Sequence, residues 1–100
     1  MADGSFEISR ESILVVVLGI LEKMNEEGTF DGAIGPDTWL AADLGLESID
    51  VVVLGTEVQE RFGATLPFAE FLAEIGQREV RDLQVREFVE FVYRSLNGPA

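Results

Sequence analysis

The sequence predicts an all-α fold, a small four-helix bundle with three long helices, one short one, and a long loop between the first two. Two observations point there. Four segments place apolar residues at the i, i+3, i+4 spacing of a helical face rather than in the alternation of a half-buried strand. The segments are also bounded by residues that start or stop helices, with serine or proline before the first three and glycine or asparagine after all four. A chain of 100 residues is expected to form one domain, residues 1–100, with an ordered core over about 8–96.

Residues 1–6 read as a loose terminus. The first helix is expected from about Ile8 to Glu26, with Ser9 as its N-cap and Gly28 as its terminator. The run Val15-Val16-Val17 favours a strand on local propensity. Length decides for a helix, because about 18 residues with polar ends is long for a strand. Ile13, Val16, Val17, Ile20, Leu21 and Met24 form the buried face. From Thr29 to Glu47 runs a long connection with the turn formers Gly32, Gly35, Pro36 and Gly45. Phe30, Ile34, Trp39, Leu40 and Leu44 are positioned to pin it to the core, with Trp39 read as a packing anchor.

The second helix is expected over Ser48–Phe62, closed by Gly63. Val51, Leu54, Gly55, Val58 and Phe62 make its core stripe, and Ile49, Val53 and Thr56 lie on a neighbouring face with Asp50, Glu57 and Glu60. Val52 falls between the two faces. After Pro67, suited to a first helical turn, a short helix covers Phe68–Ile75 and stops at Gly76. Past the polar stretch Gln77–Asp82, a last helix spans about Gln84–Leu96 and is halted by Asn97-Gly98-Pro99. Val85, Phe88, Val89 and Val92 mark its buried side, with Phe91 beside them.

Composition removes several functions. Without cysteine there is no disulfide framework, no thiolate metal site and no cysteine nucleophile. Without histidine the usual general base is missing too. A net charge of −12 disfavours nucleic acid and anionic membranes and favours basic partner surfaces. The acidic residues lack the loop spacing of a calcium site, so no metal is expected. The apolar run Ile13–Leu21 reaches about half of the roughly 20 residues needed to span a bilayer, and no basic segment precedes it. The expectation is a cytoplasmic monomer.

One hydroxyl stands out. In Asp43-Leu44-Gly45-Leu46-Glu47-Ser48-Ile49-Asp50 a serine follows a glycine turn at the start of an amphipathic helix. That puts Ser48 at the positive end of a helix dipole, with carboxylates on both sides. Its plainest role is an N-cap, since serine is among the preferred residues there.

The wider pattern, Leu44-Gly45-x-x-Ser48-x-x-x-x-x-Leu54 with Phe62 at the helix end, resembles the attachment stretch of acyl carrier proteins. Helix order, the long first loop and the acidic balance extend the resemblance over about residues 8–96. It implies that Ser48 carries 4′-phosphopantetheine from coenzyme A through a phosphodiester, and that Gly45 is the glycine of the preceding turn. It further implies a carrier with no active site of its own, whose thioester-bound acyl groups are handled by other enzymes. Glu47 stands where the family usually has aspartate, and Ile49 where leucine is usual. Val53 replaces a frequent acid, and Gly55 a larger apolar residue. The resemblance makes Asp43, Glu47, Ile49, Asp50, Val53, Glu57 and Glu60 the docking residues. The implied partners are a phosphopantetheinyl transferase and acyltransferase- or ketosynthase-type enzymes with basic docking surfaces. Gly45-Leu46-Glu47 fits peptide-type carriers poorly, whereas Leu66-Pro67-Phe68 and the changes at Val53 and Gly55 favour a polyketide-type or specialised fatty-acid carrier. Gly55 is also expected to leave room for an acyl chain between helices.

Two other classes compete with this reading. A serine hydrolase needs a G-x-S-x-G elbow and a base, and the only substitute for histidine is Lys23, the single lysine. An unmodified helical adaptor with the carrier shape is the main alternative.

Overall fold

Each helix begins or ends at a residue that supplies the partner its terminal backbone groups lack. The computed structural model describes residues 9–25, 32–79 and 82–97. Its helices are α1 (Arg10–Met24), α2 (Ser48–Phe62), α3 (Phe68–Gly76) and α4 (Val85–Asn97). Among the described residues there is no strand, and Trp39 and Gln84 form one isolated antiparallel bridge.

Ser9 caps α1 as expected: its hydroxyl accepts from the Ser12 N–H at 3.1 Å, and the Ser12 hydroxyl accepts from the Ser9 N–H at 3.0 Å. The helix ends earlier than expected, at Met24, because Asn25 leaves helical geometry and donates its N–H to the Leu21 carbonyl at 2.9 Å. Ile8, Glu26, Gly28 and Phe30 lie outside the described residues. Gly63 closes α2 in the left-handed region (φ 62°), where a side chain would be strained. Pro67 directly precedes α3 rather than entering its first turn, and Gly76 is its last residue, with Gln77 as cap. α4 starts at Val85 because Gln84 is held in the bridge to Trp39, and it runs on to Asn97. Gly98 and Pro99 lie outside the described residues.

The predicted faces pack inward, although Val16, Met24 and Phe62 on them are only partly buried. α1 contributes Ile13, Val17, Ile20 and Leu21, α2 Val51, Leu54 and Val58, and α4 Val85, Phe88, Val89 and Val92. The loop residues Leu40 and Leu44 join this core, with Ile34 packed at its edge. α1 packs on both α4 and α2, and α3 packs on α2. Phe68 and Phe71 of α3 reach Phe88 and Phe91 of α4, the tightest pair being Phe71–Phe91 with centroids 4.1 Å apart. Among the described residues no helix is long and apolar enough to cross a membrane.

Most of the described cations are paired along the α4 side. Arg10 makes a fork on Glu90 at 2.6 and 3.1 Å and lies over the Tyr93 ring, while Arg94 reaches the same carboxylate at 3.0 Å. Arg78 pairs with Glu87 at 2.8 Å, and Arg86 with Asp37. The Arg10 hydrogen bonds, helped by Arg94, hold the Glu90 carboxyl down to about 2 from an ordinary 4.5. A carboxylate depressed by folding stabilises above its unfolded value and loses that contribution as pH falls toward the folded one. Glu90→Gln should therefore lower the urea midpoint at neutral pH and flatten its decline between pH 4.5 and about 2; midpoints measured across that range check this.

Candidate functional site

The segment before Ser48 has backbone groups that need partners, and it finds them at the start of α4. The Leu40 N–H donates to the Leu83 carbonyl at 3.0 Å, and the Val85 and Arg86 N–H groups donate to the Thr38 and Pro36 carbonyls at 2.9 Å. The Asp82 carboxylate accepts from the N–H groups of Ala41 and Ala42, both at 2.9 Å, and from Leu83 at 2.8 Å. Residues 39–45 wind into a turn, where the Asp43 carboxylate accepts from the Trp39 N–H at 2.8 Å and the Gly45 N–H donates to Ala41 at 2.9 Å. Gly45 then takes φ 70°, letting the Leu46 N–H return to the Leu40 carbonyl at 2.9 Å.

This geometry delivers Glu47 in extended backbone as the N-cap of α2, with Ser48 as the first helical residue. The cap reading of Ser48 is thereby corrected. Asp50 takes the reciprocal part, its carboxylate accepting from the Glu47 N–H at 2.9 Å. The Asp50 and Val51 N–H groups donate to the Glu47 carbonyl at 2.9 and 3.1 Å. The Ser48 and Ile49 N–H groups, and the Ser48 hydroxyl, find no partner among the described residues. Ser48 is exposed. The result is an accessible hydroxyl beside two open N–H groups at the positive end of a helix, an arrangement suited to a phosphate ester.

Beside it a crevice of about 390 Å³ opens between α2 and α3, lined by Ser48, Val51, Leu46, Leu72, Ile75 and Leu83 among others. It offers an apolar wall next to the hydroxyl. Gly55 contributes no such space. A Cβ there would lie 2.7–2.9 Å from three atoms of the Phe68 ring, so the expected room is filled by that ring.

Against known proteins, the chain matches the family model described as "phosphopantetheine attachment site" over residues 12–78. The chain belongs to the phosphopantetheine attachment family. It is accordingly a carrier, the site of covalent 4′-phosphopantetheine attachment in a family without catalysis of its own. No curated protein and no solved structure matches it.

In this carrier the other sequence-predicted residues divide by location. Ile49 is 68% exposed and Val53 46%, and they share an outer face of α2 with the exposed Glu57 and Glu60. Glu47 is exposed at the cap. Asp43 is exposed too, but its carboxylate is engaged by the Trp39 N–H, and half-buried Asp50 is engaged by Glu47. Val52, assigned to neither face from the sequence, is 46% exposed and widens the aliphatic part of the outer surface. Sequence reasoning missed Asp82, whose signal as an acid just before a helix suggests only a local cap. It also missed Leu72 and Ile75 as walls of the crevice, where their apolar spacing reads as plain core. Among the described residues no group of three metal-ligating side chains comes together.

Gly45→Ala should cost about 1–2 kcal/mol of stability, since only backbone strain opposes it, while Gly35→Ala should stay within about 0.5 kcal/mol. No atom crowds either position. Urea denaturation of the two variants makes the comparison.

Proposed function

We propose that Ser48 is the residue modified, and that the chain acts as a single-domain, monomeric cytoplasmic carrier of polyketide or specialised fatty-acid type. The observation that carries this reading is the exposed Ser48 hydroxyl at the first position of α2, beside two open N–H groups and an apolar crevice. In the modification, the Ser48 oxygen forms a bond to the pantetheine-side phosphorus of coenzyme A. The pyrophosphate P–O bond breaks, adenosine 3′,5′-bisphosphate leaves, and the hydroxyl proton passes to a base of the transferase. The attached arm supplies a thiol that holds acyl groups as thioesters. The chain's own residues display the hydroxyl, offer the phosphate two N–H groups that partly offset the repulsion of Asp43, Glu47 and Asp50, and present a surface for recognition.

For that surface, Glu47, Glu57 and Glu60 supply charge, and Ile49 and Val53 supply apolar contact, joined by Val52. Asp43 and Asp50 sit near the serine and shape the turn and the cap, so their contribution to docking is through position as well as charge. Apolar anchors inside a charged rim are the usual anatomy of a protein interface. A phosphopantetheinyl transferase and acyltransferase- or ketosynthase-type enzymes with basic docking surfaces fit it. The aliphatic residues where a more acidic helix is usual favour the polyketide or specialised type.

Incubation with coenzyme A, magnesium and a broad-specificity phosphopantetheinyl transferase should add the mass of one phosphopantetheine, and Ser48→Ala should abolish the gain. An unchanged intact mass in the wild type would favour the unmodified adaptor instead. Glu47→Lys combined with Glu57→Lys should slow modification and acyl transfer by about tenfold or more, as expected when steering charge is reversed, without altering helicity. Rates that respond neither to the reversal nor to added salt would remove electrostatic docking from the account.

A further inference from the structure

We infer that Phe68, seated on Gly55, is the floor of the crevice beside Ser48 and restricts the cargo sheltered there to short acyl chains; this rests on Ser48 bearing the arm. On α2 the crevice is lined by Ser48 and Val51, and on α3 by Leu72, Ile75 and Gly76. Residues four apart on a helix share a face. The next residue along α2 after Val51 is therefore Gly55, and the next back along α3 from Leu72 is Phe68. Those two meet. Three ring atoms of Phe68 lie 2.7–2.9 Å from where a Gly55 Cβ would be. Carbon atoms normally approach to about 3.5–4.0 Å, so the ring occupies the place of the absent side chain and closes the path between the helices.

The ring is held from behind. Its centroid is 5.9 Å from that of Phe88, nearly parallel, and 5.2 Å from that of Phe91. Phe91 is itself stacked on Phe71, and Phe88 is fully buried. Moving Phe68 aside would break contacts with both neighbours. The remaining space, about 390 Å³, is near the lower end of the roughly 300–1,000 Å³ of ligand pockets. Part of it is bordered by Glu47 and Asp82, which leaves the apolar stretch from Leu46 to Leu72 and Ile75 for cargo. A short chain, brought back by a folded arm, fits the apolar stretch short of the Phe68 ring. A long chain meets the Phe68 ring and leaves its distal carbons in water.

The test loads the full chain with butanoyl- or dodecanoyl-coenzyme A through the transferase, with intact mass showing one addition that Ser48→Ala lacks before any comparison. Thioester cleavage by hydroxylamine is then timed against the free acyl-pantetheine. In the wild type butanoyl should be shielded and dodecanoyl should not. Phe68→Ala should slow dodecanoyl cleavage by about tenfold relative to wild type, equivalent to about 1.4 kcal/mol. Phe68→Leu, which keeps an apolar side chain, should shift it in the same direction and serves if the alanine variant does not fold by circular dichroism. A second readout is independent of cleavage: in the wild type, ring-proton shifts of Phe68 and Phe91 should be the same in the dodecanoyl-loaded and unloaded holo forms. Equal shielding of both chains by the wild type, or a dodecanoyl-induced shift of the Phe68 ring, overturns the inference. Loss of the mass gain overturns the assignment of Ser48 instead, so the two failures are distinct.

Discussion

The position of Ser48 depends on how the segment before it is fastened to the start of α4. Segments 35–46 and 82–86 each have polar backbone groups at the edge of the core, and each satisfies the other. Asp82 is the pivotal side chain, a single carboxylate taking N–H groups from Ala41, Ala42 and Leu83. With that end of the loop fixed and Leu40 and Leu44 buried beneath it, Gly45 has one direction in which to turn. Ser48 is exposed as a consequence of packing some distance away together with the Glu47–Asp50 cap of α2.

Within the site the carboxylates have separate duties. Asp43 and Asp50 are spent on the turn and the cap, and Glu47, Glu57 and Glu60 remain on the outer surface with Ile49, Val52 and Val53. As a carrier of a family without catalysis of its own, the chain contributes presentation, not reactivity. On the proposal that Ser48 is modified, what it offers an enzyme is a fixed oxygen, a local field and a shape.

Features set by near neighbours were legible in the sequence. Ser9 starts α1, Gly63 ends α2, and the stripes through Ile13, Leu54 and Phe88 are the core because helical periodicity needs only local spacing. The errors fall where distant residues intervene. Gln84 reads as helical until Trp39 claims it for a bridge. Ser48 reads as a cap, yet the turn closed by Gly45 delivers Glu47 to that position first. The small side chain of Gly55 suggests a vacancy, but whether space is vacant depends on Phe68, which arrives from another helix. Exposure of Ser48 is expected from its place after a glycine turn at a helix start, and it is exposed, but the contacts that set it there are long-range and were not legible.

Arg10, Arg78, Arg86 and Arg94 pair with carboxylates on the α4 side. The first three turns of α2 carry Asp50 and Glu57 and no Lys or Arg. A cationic surface within roughly a Debye length, about 8 Å at physiological salt, meets carboxylates on that stretch with no cation of the same stretch to repel it.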